Sequence, residues 1–465
     1  MNFLDRKTEL QRLCRLSNDP DGGLAVVWGR RRLGKTRLLL EWVKATKGTY
    51  WVADQSSADI QRRYFAEQLA TVLPGFADAQ YVDWPALFSR LASDAELRQW
   101  RGPLVIDELP YMVAGSPEVA SVLQRFVDHE FKRARLVVAL SGSSQRMMQG
   151  AVLSHDAPLF GRAKELFALG PLPPSFLRQA LGLTRARDVV AAFSIWGGVP
   201  RYWELAAPFG ARVLEAAQEL VLDPTGTLYG EPHRLLLEEG AANLRPCLDA
   251  MGGGVHRTSE LAGRIGVKAT SLSRPLAQLV ELGLARRELP FNASERDSKR
   301  SLYKIDDPFV RMWFSVVAPR RSALAQLPKS ARRQLLEVAL PQLVANTWEE
   351  MCRRAIPRLT DVLQHQYLPA SRYWRGSGPE WDALAWSVDN KRLLIGEAKW
   401  TKTTSATTVR SALRSLWAKG PPPIRVEGKE IQYVLFVPEK PRGELGLPPE
   451  VTLVDAKEVI EALGR

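Results

Sequence analysis

The chain has 465 residues, of which 45% are hydrophobic and 25% are charged, so it is long enough for about three globular domains. Its 64 Lys and Arg residues exceed its 51 Asp and Glu residues by 13, which favours a polyanionic partner such as DNA. Three scattered cysteines exclude a disulfide framework and a Cys-x-x-Cys metal site, and no apolar run approaches the roughly 18 residues of a membrane span. We therefore expect a cytoplasmic protein without a signal segment, membrane contact or visible internal repeat.

The first predicted elements form a phosphate-binding loop. The apolar run 24–28 (LAVVW) suits a buried strand, GRRRLGKT follows at once, and RLLLEWVKA suits a helix. In this context glycines let backbone amides surround phosphate, the lysine reaches the β- and γ-phosphates, and the threonine ligates Mg²⁺. The loop arginines Arg30, Arg31 and Arg32 either touch phosphate or face solvent. The sequence predicts that ATP and Mg²⁺ bind at Gly29, Gly34, Lys35, Thr36 and Arg37.

Two further predicted strands end in polar residues. The run GPLVIDELPYM places Asp107 for the water shell of Mg²⁺ and Glu108 to orient or deprotonate the attacking water. The alternative is that these two carboxylates cap the next helix. The run ARLVVALSGSS ends in Ser143 and Ser144, and Ser143 either senses the γ-phosphate or belongs to a Ser-rich turn. Strands that alternate with helices predict an α/β fold with a doubly wound parallel sheet.

These motifs resemble those of the archaeal-type ATPase family, a relative of the AAA+ and STAND ATPases. The matching segments, in family order within residues 1–205, are FLDRKTEL, GRRRLGKT, VIDELPYM, LSGSS, PLFGRAKELFALGPL and WGGVPRYW. The resemblance implies a P-loop ATPase core over residues 1–165 and a helical lid over residues 166–240 that closes over nucleotide.

The resemblance also implies roles for residues outside the loop. It places Phe3 and Arg6 near the adenine, and it places Arg162 near the nucleotide. Arg162 then acts within its own chain or reaches a neighbouring subunit of a homo-oligomer. The alternative for Arg162 is a surface ion pair.

The middle of the chain predicts a winged helix over residues 241–318. TSELAGRI and SLSRPLAQLVELG suit two helices joined by the turn GVKAT, and LARRELPF, NASERDSK and RSLYKIDD suit a strand, a turn and a strand. Residues 286–335 carry 12 Lys or Arg against 5 Asp or Glu, so we expect contacts with DNA phosphates. The alternative is a module that binds protein partners or inhibits the ATPase. The candidate DNA contacts are Lys268, Ser271, Ser273, Arg274, Arg296, Lys299 and Arg300.

The last segment, residues 336–465, predicts an α/β domain. A helix that carries Glu349 and Glu350 precedes three strands, and a polar helix and two more strands follow. This order, with Asp382 on one strand and a Glu-x-Lys motif ending the next, resembles the PD-(D/E)XK nuclease fold over residues 336–437. It also resembles the domain of unknown function that accompanies the ATPase family.

This resemblance implies a second site with metal chemistry. Asp382 and Glu397 are oxygen ligands for Mg²⁺, and Lys399, on the same side of its strand as Glu397, positions or deprotonates the water that attacks a phosphodiester. A helix glutamate often completes such sites, and we favour Glu350 over Glu349. The alternative is an ordinary hairpin with charges on its wet face.

Three functions follow from these patterns. The first is an ATP-hydrolysing protein that binds DNA and carries a Mg²⁺-dependent nuclease-like domain. The alternative is a nucleotide-dependent regulatory switch whose winged-helix and C-terminal domains bind partners without cleaving nucleic acid. A scaffold without nucleotide binding is the third. Convergence of Asp382, Glu397 and Lys399 on one metal-sized gap distinguishes the first from the second.

Overall fold

A computed structural model describes residues 3–297, 300–376, 378–443 and 445–464. The chain divides into two compact units, Met1–Pro171 and Leu172–Arg465. The predicted boundary at residue 165 falls inside the last strand of the first unit, and the predicted boundary at residue 336 falls inside a long helix of the second. Within the described ranges, no helix combines the length and the apolar character needed to cross a membrane.

A five-stranded parallel sheet organises the first unit. Its strands are β1 (Gly23–Trp28), β2 (Thr49–Val52), β3 (Leu104–Asp107), β4 (Val137–Gly142) and β5 (Ala163–Ala168). They lie in the order β2-β3-β4-β1-β5, and every neighbouring pair is parallel. The helices are α1 (Lys7–Ser17), α2 (Lys35–Thr46), α3 (Ala58–Ala70), α4 (Trp84–Leu97), α5 (Leu109–Gly115), α6 (Val119–Asp128), α7 (Glu130–Arg133) and α8 (Gln145–Met148). The predicted α/β fold with a parallel sheet is confirmed.

Both faces of this sheet are covered, because successive residues of a strand point to opposite sides. On β1, Leu24 packs in one core with Trp84, whereas Val27 packs in the other core with Trp42. The carboxyl ends of parallel strands meet at one edge of the sheet. The phosphate-binding loop therefore follows β1 at the same edge where β3 ends in Asp107.

The second unit begins with helices and ends with a mixed sheet. Its helices are α9 (Pro174–Leu181), α10 (Ala186–Trp196), α11 (Pro200–Ala206), α12 (Val213–Ala217), α13 (Glu231–Glu238), α14 (Arg245–Gly252), α15 (Thr258–Ile265), α16 (Ser273–Glu281), α17 (Pro308–Met312), α18 (Arg321–Gln326), α19 (Lys329–Ala355), α20 (Thr360–Leu363), α21 (Ala406–Ala418) and α22 (Ala456–Leu463). Its strands are β6 (Ala285–Glu288), β7 (Leu302–Ile305), β8 (Ser371–Tyr373), β9 (Trp381–Trp386), β10 (Arg392–Ala398), β11 (Glu430–Val437) and β12 (Val451–Asp455).

Residues 245–305 form a segment that we call the helix–hairpin segment. Helices α15 and α16 are separated by a short turn, and β6 and β7 then pair as an antiparallel hairpin. A backbone bridge between Arg257 and Leu302 ties the hairpin to the start of α15. This is the element order expected of a winged helix. The predicted DNA contact Lys299 lies outside the described residues.

The C-terminal sheet has the order β12-β11-β10-β9-β8. Strands β8, β9 and β10 form an antiparallel meander, β11 pairs with β10 in parallel, and β12 pairs with β11 in parallel. Helix α19 precedes this sheet and α21 lies between β10 and β11 along the chain. The order of helix, meander, helix and parallel strand agrees with the predicted α/β arrangement.

The structure contains an internal repeat that was not expected from the sequence, in which a π-helix is followed by a compact turn. Residues 149–162 and residues 218–231 each begin with a five-residue π-helix and continue with the same series of backbone hydrogen bonds. Gln149, Val152, Leu153, Leu159 and Gly161 recur in the second copy as Gln218, Val221, Leu222, Leu228 and Gly230. The similarity is hard to see in the sequence because the turn residues between these positions differ.

Candidate functional site

The loop between β1 and α2 has the backbone of a phosphate cradle. Gly29 and Gly34 have φ values of 135° and 90°, a region that favours glycine, and a Cβ on Gly29 would lie 2.6 Å from the carbonyl oxygen of Leu169. Lys35 is buried, and its Nζ donates to the carbonyl oxygens of Gly29 at 2.7 Å and Arg30 at 3.2 Å. The ammonium group therefore lies inside the loop at the N-terminus of α2, where phosphate oxygens bind.

Asp107 lies beside the first turn of α2. Its Oδ2 accepts hydrogen bonds from Thr36 Oγ1 at 2.9 Å and from the Tyr50 hydroxyl at 2.5 Å. Burial and the charge of Asp107 raise the pKa of Tyr50 far above its ordinary range, so the hydroxyl stays a donor. The structure thus brings together Thr36 and Asp107, the two residues predicted to hold Mg²⁺ and its water shell.

Glu108 is held by the residue that follows β4. The Ser143 hydroxyl lies 2.7 Å and 2.9 Å from the two carboxylate oxygens of Glu108, and the Ser143 amide donates to Oε2 at 3.3 Å. Glu108 has a φ of 53°, an uncommon backbone conformation for a residue with a side chain, and its carboxylate makes no cap on α5. The geometry favours the interpretation of Glu108 and Ser143 as functional residues over a capping role.

The C-terminal domain brings Asp382, Glu397 and Lys399 together. Strands β9 and β10 pair with Ala383 opposite Gly396, so Asp382 and Glu397 lie at the same end of the ladder. Glu397 is buried, and its Oε1 accepts from Lys399 Nζ at 2.6 Å. Lys419, at the end of α21, donates to Oε2 of Glu397, also at 2.6 Å.

Helix α19 contributes Glu349 to this cluster, so the prediction that favoured Glu350 is wrong. Burial and the neighbouring charge of Asp382 raise the pKa of Glu349, whereas burial and the charge of Glu397 raise the pKa of Asp382. Glu350 instead turns to Arg311 and Arg286. Consecutive helix residues point about 100° apart, so only one of the two glutamates can face the sheet.

The donor set of this cluster fits a hard divalent cation. Asp382, Glu397 and Glu349 supply carboxylate oxygens, and their mutual repulsion would be relieved by a cation. Among the described residues, however, no three potential ligands are drawn together tightly enough to hold a metal. The ammonium groups of Lys399 and Lys419 contact the two oxygens of Glu397, so a metal ion competes with them for this ligand.

Lys399 keeps its proton in this arrangement. Burial lowers its pKa, but the hydrogen bond and charge of Glu397 outweigh burial and hold the pKa above its ordinary value. Of the two predicted roles, the structure favours positioning of water over its deprotonation.

Much of the predicted basic patch is paired within the second unit. Glu350 is buried between Arg286 and Arg311, and its pKa falls to about 2 because the attraction of these arginines outweighs burial. Lys304 and Arg286 also pair with Glu288 on the same hairpin. Further pairs join Arg300 to Asp297, Arg332 to Asp223, Lys329 to Glu219 and Arg333 to Glu337. The count of basic residues therefore overstates the positive surface that is open to phosphate.

The turn of the hairpin is fastened to the C-terminal sheet. The amide of Phe291 donates to the carbonyl oxygen of Arg372 at 2.7 Å, and its ring centroid lies 5.7 Å from that of Trp386. Trp386 Nε1 donates to Asn292 Oδ1 at 3.1 Å. This turn is therefore engaged within the chain, although Arg296 on it remains exposed.

The other predicted DNA contacts lie on an open face. The side chains of Lys268, Ser271, Ser273 and Arg274 are all exposed, at the turn before α16 and on its first residues. Arg264, near the end of α15, is exposed as well. We call these five residues the α16 face.

Comparison with known proteins identifies the first part of the chain. Residues 3–205 match the family described as an ATPase domain predominantly from Archaea. They form an archaeal-type P-loop ATPase domain. Residues 313–411 match a second family, described as Archaea bacterial proteins of unknown function. The resemblance to archaeal-type ATPases and to the domain of unknown function that accompanies them is confirmed.

Several known proteins are similar to this chain over most of their own length. The uncharacterized protein MJECL04 of Methanocaldococcus jannaschii is 26% identical over 421 residues, which cover 90% of this chain and 91% of the relative. The Walker-type ATPase PABY2304 of Pyrococcus abyssi has a TM-score of 0.51 at 17% identity, over 67% of this chain and 96% of that one. The ORC2 protein of Aeropyrum pernix, solved as ADPNP–ADP complexes, has a TM-score of 0.44 at 14% identity, over 73% of this chain and 95% of that one. The likeness to the Pyrococcus protein shows a shared fold.

Within the ATPase domain, Arg162 does not lie near the phosphate-binding loop of its own chain. It precedes β5, and Ala163 pairs with Leu24 near the start of β1, whereas the loop follows the end of β1. Its Nε donates to Asp128 at 2.9 Å, and its Nη1 donates to the carbonyl oxygen of Pro158 at 2.9 Å. The predicted role within its own chain is wrong, because the length of β1 separates Arg162 from the loop.

Arg6 braces the loop of the ATPase domain. Its guanidinium is buried, and Nη2 donates to the carbonyl oxygens of Leu33 at 3.3 Å and Gly170 at 2.5 Å. Phe3 packs against the core that contains Trp42. Arg6 thus lies beside the loop, where it contacts protein carbonyls.

Arg37 points away from the loop. Its side chain pairs with Glu41 one turn along α2 at 2.9 Å and is 58% exposed. Only its backbone amide lies in the first turn of the helix, where amides have no partner within the helix. A role of Arg37 in phosphate binding is therefore confined to the backbone.

Several site residues escaped the sequence analysis. Tyr50 lies in the run TYWV, which reads as an ordinary apolar strand, and Lys419 follows a whole helix after Glu397. Arg31 was predicted either to touch phosphate or to face solvent, and its contacts with Ser143 and Tyr111 were not expected. The Tyr within VIDELPYM, directly after the carboxylates, was the one local signal available.

Proposed function

We propose that the ATPase domain hydrolyses ATP with Mg²⁺. The contact between Thr36 and Asp107 carries this proposal, because it joins two groups suited to Mg²⁺ at the mouth of a phosphate cradle. Mg²⁺ would supply charge neutralisation of the phosphates when bound. Lys35 binds the β- and γ-phosphates, and Glu108 orients the attacking water.

ATP turnover by the full chain tests this proposal. Lys35→Ala removes the ammonium inside the loop and should abolish turnover, whereas Glu108→Gln should retain ATP binding and lose hydrolysis. Arg63→Ala is the control, since Arg63 forms an exposed pair with Glu67 on α3. Unchanged turnover in Lys35→Ala would refute the assignment.

We further propose that the C-terminal domain is a Mg²⁺-dependent nuclease-like domain. Asp382 and Glu397 would hold the metal, Glu349 is the third carboxylate, and Lys399 would position water beside a phosphodiester. Asp382 and Glu397 at one end of a strand pair, with Glu349 of α19 beside Asp382, support this proposal, because Asp382 is repelled by Glu397 and itself repels Glu349, and Glu397 is buried.

Metal binding tests the C-terminal proposal without any cleavage assay. Titration of the nucleotide-free chain with Mn²⁺ should show one site that disappears in Glu397→Gln and in Asp382→Asn. Glu458→Gln serves as a control, because Glu458 lies on α22 outside the cluster and pairs with Lys440. The proposal would be contradicted if Glu397→Gln and Asp382→Asn bound Mn²⁺ as tightly as the unaltered chain, or if only Glu458→Gln lost the site.

We also propose that the helix–hairpin segment is a winged helix that binds DNA through the α16 face. Exposed Lys268 and Arg274 beside exposed hydroxyls support this choice over the strands of the hairpin, where Arg286 and Lys304 pair with Glu288. Lys268→Ala with Arg274→Ala should weaken binding of duplex DNA and lower its salt dependence. Arg287→Ala, whose guanidinium donates to Ser301 and to carbonyl oxygens in the hairpin, should change neither.

The second candidate function is a nucleotide-dependent switch that cleaves no nucleic acid. The fastening of the hairpin turn to the C-terminal sheet supports it, because such docking is expected of a regulatory module. It requires that no Mn²⁺ site depend on Glu397. The titration above therefore separates the two functions.

A further inference from the structure

The phosphate-binding loop is connected to Glu108 through one arginine. Arg31 Nε donates to the Ser143 hydroxyl at 3.1 Å, and its Nη2 donates to the Tyr111 hydroxyl at 2.8 Å. The Ser143 hydroxyl in turn lies 2.7 Å and 2.9 Å from the two oxygens of Glu108. The Ser143 hydroxyl accepts a hydrogen bond from the guanidinium and donates its single proton to the carboxylate. The series of hydrogen bonds therefore runs from Arg31 through Ser143 to Glu108.

Three different elements supply this chain. Arg31 belongs to the loop after β1, Ser143 follows β4, and Tyr111 lies on α5 next to Glu108. Nothing in the spacing of these residues along the sequence indicates the contact. It arises because neighbouring parallel strands of the sheet end at the same edge.

The relative strengths of the possible hydrogen bonds predict how this series of contacts changes when nucleotide binds. A guanidinium bonds a phosphate more strongly than it bonds a neutral hydroxyl, because both partners are then charged. Arg31 sits in the loop that binds phosphate, so a bound triphosphate competes with Ser143 and Tyr111 for its donors. ADP offers less negative charge and lacks the γ-phosphate, and it competes less well.

We propose that Arg31 is a positioning residue that detects the γ-phosphate and releases Glu108. Without nucleotide, Arg31 fixes the Ser143 hydroxyl, and that hydroxyl engages the carboxylate of Glu108. ATP draws the guanidinium of Arg31 to its phosphates, and the Ser143 hydroxyl loses its orienting partner. Glu108 then loses the oriented hydroxyl, keeps the longer contact with the Ser143 amide at 3.3 Å, and can turn to the attacking water. This inference rests on the proposed ATP hydrolysis.

A purely structural role for Arg31 makes a different prediction. If Arg31 only fastened the loop to α5 and β4, its loss would weaken ATP and ADP binding alike. If Arg31 detects the γ-phosphate, its loss weakens binding of the triphosphate alone and slows turnover, because its positive charge no longer stabilises the γ-phosphate during transfer. The affinities for the two nucleotides therefore distinguish the roles.

The experiment compares the unaltered 465-residue chain with Arg31→Met and Arg31→Lys. We expect Arg31→Met to weaken AMP-PNP binding by about tenfold in calorimetry, to leave the Kd for ADP within about twofold, and to lower kcat by about tenfold or more. Arg31→Lys should restore part of both losses, because it keeps the charge and loses the forked geometry. Arg63→Met is the matched control on an exposed helix face.

A double variant tests the route through Ser143. Ser143→Ala removes an acceptor that competes with ATP for Arg31, so it should tighten AMP-PNP binding, and this gain should vanish when Arg31→Met is also present. Equal weakening of AMP-PNP and ADP binding in Arg31→Met, or the same effect of Ser143→Ala with and without Arg31, would overturn the Arg31 proposal alone. Absence of nucleotide binding in the unaltered protein would overturn it together with the proposed ATPase.

Discussion

Lys419 donates a hydrogen bond to Glu397, with 2.6 Å between Nζ and Oε2, and this contact occupies an oxygen that the candidate metal needs. The lysine also donates to the carbonyl oxygen of Glu380 at 2.8 Å, so it is fixed from two sides. Lys419 therefore acts as an internal cation in the carboxylate cluster.

Removal of this cation should strengthen metal binding. We expect Lys419→Met to raise the affinity for Mn²⁺ by about tenfold, about 1.4 kcal/mol, because the metal no longer displaces an ammonium group. Calorimetric titration of the nucleotide-free chain measures the change. Lys440→Met removes the partner of Glu458 and should have no effect. An unchanged or lower affinity in Lys419→Met would contradict the competition.

Glu350 should be a determinant of stability in the second unit. Glu350→Ala leaves the guanidinium groups of Arg286 and Arg311 without their buried carboxylate, and such a loss costs roughly 3–5 kcal/mol of unfolding free energy. Urea unfolding that follows the second unit measures the loss. Glu337→Ala breaks the exposed pair with Arg333 and should cost less than about 1 kcal/mol. Similar losses of unfolding free energy in Glu350→Ala and Glu337→Ala would contradict the claim that the buried ion pairs stabilise the unit more than the exposed pair does.

The same residue should make stability depend on pH in the acid range. The pKa of Glu350 is about 2 in the folded chain and ordinarily 4.5, so its stabilisation is fully present above about pH 4.5. It is lost progressively as the pH falls from about 4.5 toward 2. The difference in unfolding free energy between the unaltered chain and Glu350→Gln should therefore narrow over that range. A difference in unfolding free energy that stays constant from pH 6 to pH 3 would show that folding does not lower the pKa of Glu350.

Substitutions of Arg6 and Arg162 in the ATPase domain should have different effects on nucleotide binding. Arg6→Met removes donors from the carbonyl oxygens of Leu33 and Gly170, and we expect ATP binding to weaken by about tenfold because the loop loses its brace. Arg162→Met should leave the Kd for ATP within about twofold, because Arg162 lies at the other end of β1. Calorimetry with AMP-PNP provides both values. Equal effects of the two variants would contradict these placements.

The ATPase core was predictable because its signals are local. A strand, a glycine-rich loop and a helix follow one another without interruption, and Asp107 ends a second apolar run. Each of these features depends on residues that are neighbours in the sequence. The sheet topology follows from the short alternation of strands and helices.

The errors came from contacts between residues far apart in the sequence. A charge count over residues 286–335 cannot reveal that Arg311 pairs with Glu350 or Arg332 with Asp223. The choice between Glu349 and Glu350 depends on the rotation of α19, which adjacent glutamates do not define. The resemblance likewise placed Arg162 near a nucleotide without stating which chain holds it.

Cleavage of supercoiled DNA by the 465-residue chain with Mg²⁺, with and without ATP, tests most directly the central claim that this chain joins an ATPase to a nuclease-like site. We predict metal-dependent nicking by the unaltered chain that is lost in Glu397→Ala, and a different rate when ATP is present. Equal cleavage by the unaltered chain and Glu397→Ala, or no cleavage under either condition, would contradict it.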